Sequence, residues 1–252
     1  MDPGYRSPLV DFFRRGEVAH DVRLLAAQGG LAPRAHEQLA LLILLSDDAD
    51  ASVAATARET IDRLPADAVA AFLARDDVPD EMRAFFAGRG VEVGAAPSPE
   101  DAPLGDVAVA GDDEQDHNAD PKILSTLPIM KRMQIAMKGT REQRAQLIRD
   151  SNKLVAAAVL SSPKLTESEV ESFVKMGNVS EDVLRVIGNN RSWTKNYGVV
   201  AGLAKNPKTP PAIAMQMLPR LVERDMKMLS TDRNVTEGVR LAARRFLAKS
   251  RE

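Results

Sequence analysis

The chain has 252 residues, 44% of them hydrophobic but only 4% aromatic, with no cysteine and a formal net charge of −2. That length accommodates two domains with cores of their own, and cores built from Leu, Val, Ile, Ala and Met favour helix-on-helix packing. The missing thiols exclude disulfides, a cysteine nucleophile and any Cys-based zinc or iron–sulfur site, while no apolar run exceeds the seven residues of 39–45, far short of the ~20 residues of a membrane helix.

The start, Met1-Asp2-Pro3-Gly4-Tyr5-Arg6, lacks the basic and apolar stretches of a secretion signal, so a cytoplasmic protein without a membrane partner is expected. The charge is distributed unevenly. Residues 1–90 carry ten Arg, no Lys and fifteen acids, about −5 in all; residues 91–121 carry nine acids and no base; residues 122–252 carry 24 Lys and Arg against 12 acids, about +12. This partition predicts three parts: an acidic N-terminal module (1–90), an acidic linker (91–121) and a basic C-terminal module (122–252). A basic surface attracts acidic proteins or nucleic acids, and the acidic linker is a built-in competitor for it.

In chain order, the first module is expected to be helical near 8–14, 18–28, 34–46, 51–63, 66–75 and 80–87. Breaks fall at Gly16, Gly29-Gly30, Ser46-Asp47-Asp48, Pro65 and Asp76-Asp77-Val78-Pro79. An internal repeat links Asp21-Val22-Arg23-Leu24-Leu25-Ala26-Ala27 with Asp50-Ala51-Ser52-Val53-Ala54-Ala55-Thr56-Ala57, and more weakly with Pro79-Asp80-Glu81-Met82-Arg83. The spacing of Val22, Val53 and Met82 leaves room for two short helices per unit. Residues 91–121 contain four Pro and only scattered apolar side chains, which predicts a disordered linker.

Helices resume near 123–138, 141–150, 152–161, 167–176, 181–188, 193–204, 211–218, 220–229 and 237–248. Thr166-Glu167-Ser168-Glu169 has the form of a capping box, and Ser180, Ser192, Thr209 and Thr236 are expected caps. The Asp-x-x-Val-like repeats of residues 20–87 resemble HEAT-like repeats. Asn206-Pro207-Lys208-Thr209-Pro210 resembles the leucine-rich-repeat-variant class, with looser versions at Asn178-Val179-Ser180 and Asn234-Val235-Thr236. The resemblance implies an all-α fold of two short α-solenoid modules, and a non-enzymatic adaptor or scaffold that binds proteins or, alternatively, nucleic acid.

Candidate binding residues cluster at Asn190, Arg191, Trp193, Lys195 and Tyr197, which include the only Trp and one of two Tyr. On a helix starting near Ser192, Trp193 and Tyr197 share a face, flanked by Arg191 and Lys195. Such a set either anchors an acidic protein or stacks on bases while holding phosphate; its structural alternative is Trp193 in a repeat seam with Asn190 as a cap. Lys131, Arg132, Arg240 and Arg244 are further cationic candidates. Met130, Met133 and Met137 form a stripe expected to be core rather than docking surface.

Nothing points to catalysis. His20, His36 and His117 lie far apart and form no metal-ligand spacing, the acids around His117 lack the glycine of a calcium loop, and no phosphate loop or nucleophile motif occurs. No catalytic residue, metal or cofactor is expected, and the oligomeric state is left open.

Overall fold

The computed structural model describes residues 2–32, 34–104 and 121–249. Among these residues the protein is all-α, with fifteen α-helices and no strand. Two compact units form: Met1–Thr140 with Ala157–Pro163, and Arg141–Ala156 with Lys164–Glu252. Residues 122–140, although basic, thus belong to the first unit.

The first unit holds α1 (Pro8–Arg14), α2 (His20–Ala27), α3 (Ala35–Leu45), α4 (Ala51–Arg63), α5 (Ala66–Leu73) and α6 (Asp80–Ala87). The apolar run 39–45 explains its centre. A helix apolar all round has no face to give to water, and α3 accordingly packs against α1, α2, α4 and α6 with ten of its eleven residues buried. The repeat anchors Val22, Val53 and Met82 are all buried. Asp50 caps α4 by accepting from the Ser52 amide at 2.9 Å. A turn of 3₁₀ helix (Pro121–Thr126) precedes α7 (Ile129–Lys138). The expected continuous helix from 123 is broken because Pro128 disfavours helical backbone at Leu127 and takes the N-cap position itself. Met133 and Met137 are buried and Met130 half-buried, so this stripe is core.

The acidic segment departs from expectation. Rather than being disordered from 91, residues 91–104 form a strap over the ends of α3 and α5. Arg34, the N-cap of α3, offers no side-chain cap. Asp101, 65 residues beyond His36, supplies it: its Oδ1 accepts from the His36 amide at 3.2 Å, and its carbonyl accepts from the Ala35 amide at 3.2 Å. Gln38 Oε1 accepts from the Leu104 amide at 2.6 Å. Near the C-terminal end of α5, Ala70 and Ala71 carbonyls accept from Gly94 and Ser98 amides at 2.9 and 2.8 Å. A side chain at 94 would bring Cβ to 2.9 Å from the Ala70 oxygen, so glycine is required there. Composition misleads here because the strap is held largely by hydrogen bonds to groups at helix ends rather than by apolar area. Residues 105–120, with His117 and its neighbouring acids, lie outside the described residues.

The second unit contains α8 (Arg141–Leu147), the first turn of α9 (Lys153–Ser161), α10 (Glu167–Lys175), α11 (Glu181–Asn189), α12 (Tyr197–Lys205), α13 (Pro211–Met217), α14 (Glu223–Thr231) and α15 (Glu237–Lys249). Short 3₁₀ turns occupy Trp193–Lys195 and Leu218–Arg220. α10 packs on α12 and α12 on α14, while α11 packs on α13 and α13 on α15.

The capping box forms as expected: the Thr166 amide donates to Glu169 Oε2 at 3.0 Å, and the Glu169 amide to Thr166 Oγ1 at 3.4 Å. Glu169 also pairs with Arg144 at 2.8 Å in a nearly water-free contact, the two side chains being 2% and 5% exposed. Ser180 caps α11. Ser192 and Thr209 do not cap. Ser192 is itself helical, and Pro210 takes the N-cap position while Thr209 is buried.

Gly198 and Gly202, one turn apart on α12, let α10 approach closely: a Cβ at Gly202 would sit 2.4 Å from Val174 Cγ2. Asn206 clamps the same seam, its Nδ2 donating to the Val174 and Met176 carbonyls at 2.8 and 3.0 Å. Alanine at 202 gains about 1 kcal/mol of helix propensity but overpacks a stiff β-branched neighbour, at a cost of about 1–3 kcal/mol. Gly202→Ala is therefore expected to lower the thermal midpoint. Adding Val174→Ala should recover part of the loss, a coupling that a double-mutant cycle by calorimetry would measure.

Candidate binding surfaces

The expected helix from 193 is two elements. Asn190 Oδ1 accepts from the Ser192 and Trp193 amides at 2.9 and 3.3 Å and folds the chain into the 3₁₀ turn. Asn196 then takes an extended conformation and caps α12, accepting from the Gly198 amide at 2.7 Å. Trp193 and Tyr197 thus stand on different elements and do not share a helical face. Asn190 does cap, as its structural alternative required.

The side chains at this corner differ in availability. Arg191 and Lys195 are exposed and make no ion pair among the described residues, and Trp193 is half-buried between them in sequence. Tyr197 is exposed along its ring, but its hydroxyl is engaged, accepting from the Val222 amide at 3.2 Å and donating to Asp225. Asp225 also receives Lys205 Nζ at 2.7 Å. Lys205 first and Tyr197 second hold the Asp225 carboxyl below its ordinary range, and burial together with Asp225 pushes the Tyr197 phenol up. A groove of about 440 Å³ runs beside this network, lined by Val174, Gly177, Tyr197, Ala201, Lys205 and Asn206.

Two further cationic candidates of the second unit are engaged elsewhere. Arg240 donates to the carbonyls of Asp232 and Val235, and Arg244 Nε to the Ser230 carbonyl at 3.1 Å, so both tie α15 to the end of α14. Lys131, exposed, and Arg132, half-buried, lie on α7 in the first unit.

A second polar constellation lies in the first unit, where His36 is only 3% exposed. Its Nδ1 is 2.8 Å from Asp101 Oδ1 and its Nε2 is 3.6 Å from Asp77, which Arg75 holds in an ion pair at 2.9 Å. Tyr5 stacks on the imidazole with ring centroids 5.3 Å apart, and Phe72 meets it edge-on. Burial, then Glu37, raises the Tyr5 phenol to about 12. Burial also pushes the Glu37 carboxyl up. The sequence signal was the polar triplet His36-Glu37-Gln38 opening a helix that is otherwise wholly apolar; spacing between histidines is blind to it.

Among the described residues, no cluster of three or more His, Asp or Glu is placed to hold a metal, and no helix is long and apolar enough to cross a membrane. Compared with family models, curated proteins and solved structures, the chain matches none.

Burial opposes ionisation of Asp101, but hydrogen bonds from the His36 ring and backbone outweigh it and hold the carboxyl below its ordinary range. A depressed carboxylate contributes stability fully above the unfolded value of about 3.9 and loses it as pH falls through the folded value. Facing groups are His36, Asp77, Arg75, Arg34, Tyr5 and Glu37. Hydrogen exchange at the Gly94, Ser98 and Leu104 amides, corrected for intrinsic rates, should therefore accelerate on acidification below about pH 4. In Asp101→Asn this pH dependence should be much reduced and exchange already faster at neutral pH.

Proposed function

We propose that the protein is a non-enzymatic, cytoplasmic helical-repeat adaptor whose basic second unit binds an acidic surface on a partner protein. The observation that carries this reading is a surplus of uncompensated cations. Of the eleven Lys and Arg from Arg191 to Arg245, only Lys205 and Lys227 form ion pairs among the described residues. Unpaired cations at this density create a positive field that attracts and orients an anionic surface. The same unit exposes Tyr197, Met215, Val222, Met228, Leu241 and Phe246, apolar area of the kind a protein partner covers and a phosphate backbone does not. Arg191, Trp193 and Lys195 are the contact cluster, with Tyr197 at its edge. The alternation of α10, α12 and α14 with α11, α13 and α15 supports the HEAT-like or leucine-rich-repeat-variant solenoid reading, in which successive two-helix units stack.

A nucleic-acid reading rests on the same cations with Trp193 as a stacking platform. Trp193, the only tryptophan, reports on both. Titrating the full chain with poly-glutamate is expected to change its emission saturably, and Arg191→Glu with Lys195→Glu to weaken binding about tenfold. Duplex and single-stranded DNA should bind more weakly at equal ionic strength. Stronger DNA binding whose logarithm falls steeply with log salt would replace the protein-partner reading with the nucleic-acid one.

A further inference from the structure

Residues 94–104 lie on the first unit as a bound peptide would. The strap is free of helix and strand. Gly94 and Ser98 hydrogen bond to the carbonyls of Ala70 and Ala71, and the Arg75 guanidinium donates to the Ser98 carbonyl at 3.3 Å. Two side chains anchor its far end: Asp101 on the His36 ring and amide, and Leu104, which is buried. Pro97, Pro99, Glu100, Ala102 and Pro103 are exposed. Recognition therefore rests on backbone groups plus an aspartate and a leucine three residues apart. A chain with that spacing, and with glycine seven residues before the aspartate, reproduces it.

The receiving surface is prearranged and incompletely used. His36 and Gln38 are 3% and 1% exposed, fixed on the central helix α3. While Gln38 Oε1 accepts from the Leu104 amide, its Nε2 is buried without a hydrogen-bond partner. A buried donor left unsatisfied is costly, so a ligand bringing an acceptor there binds better than the strap does.

We infer that the surface of α3 and α5 under the strap is a peptide-recognition groove for a non-helical acidic segment of a partner protein, with Asp three residues before Leu and glycine seven residues before that Asp, and that residues 94–104 are its intramolecular occupant. A partner peptide enters by displacing the strap, whose advantage is tethering: a linked segment competes at an effective concentration of roughly millimolar. This inference concerns the first unit and is independent of the reading of the second.

The test uses the full chain and a capped synthetic peptide of residues 93–104. In the wild type, millimolar peptide should accelerate hydrogen exchange at the chain's own Gly94, Ser98 and Leu104 amides, and a peptide with Asp101→Asn and Leu104→Ala should not. A labelled wild-type peptide should bind the D101N/L104A chain about tenfold or more tightly than the wild-type chain. Adding H36A should remove that gain. Unchanged strap exchange in the wild type at millimolar peptide overturns the inference, whether or not the D101N/L104A chain folds. So does equal peptide binding by the two folded chains.

Discussion

Burial of α3 is the constraint on which the first unit depends. A helix reading Ala-His-Glu-Gln-Leu-Ala-Leu-Leu-Ile-Leu-Leu cannot face water on its apolar turns, so α1, α2, α4 and α6 surround it. Each fully buried leucine or isoleucine contributes roughly 1.5–3 kcal/mol relative to exposure. Surrounding the helix, however, also takes its polar first turn out of water, and amides and side chains there need partners inside the protein. Asp101 and Leu104 answer that need from far along the chain. The strap is thus a consequence of the core rather than an ornament on it, and the ring contacts of His36 with Tyr5 and Phe72 close the same end.

The second unit meets a different demand, since apart from α15 its helices run only seven to nine residues. Close approach at Gly198 and Gly202, with the Asn206 clamp, fastens α10 to α12. Turn residues Asn190 and Asn196 set where one element stops and the next begins. Since packing consumes few of its cations, the unit keeps them on the outside. The two units therefore differ in what they leave over: an acidic segment used up as structure in one, basic side chains unspent in the other.

Local chemistry was legible in the residues. The capping box at Thr166, the cap at Ser180, the helix breaks and the buried faces of Val22, Val53 and Met82 all arise within a few positions of their signal. The misreadings have the same physical root. Pro128 and Asn196 end one element and start another, and apolar periodicity through them concealed the break. The strap was illegible for a stronger reason: the His36–Asp101 contact joins positions 65 apart, and neither residue carries a local mark of the other. Low hydrophobicity argues against a segment forming a core of its own. It says nothing against the segment completing someone else's.

Glu169 has an evolutionary consequence of its own. One carboxylate closes the cap of α10 and neutralises Arg144 in a nearly water-free contact. Replacing either charge alone strands the other, whereas replacing both by apolar residues of similar volume is close to neutral. Any single step away from Arg–Glu is blocked while the joint step is open. Positions 144 and 169 are thus expected to change together along a lineage or not at all, and position 166 shares the constraint, since its own amide and hydroxyl lose their acceptor with the glutamate.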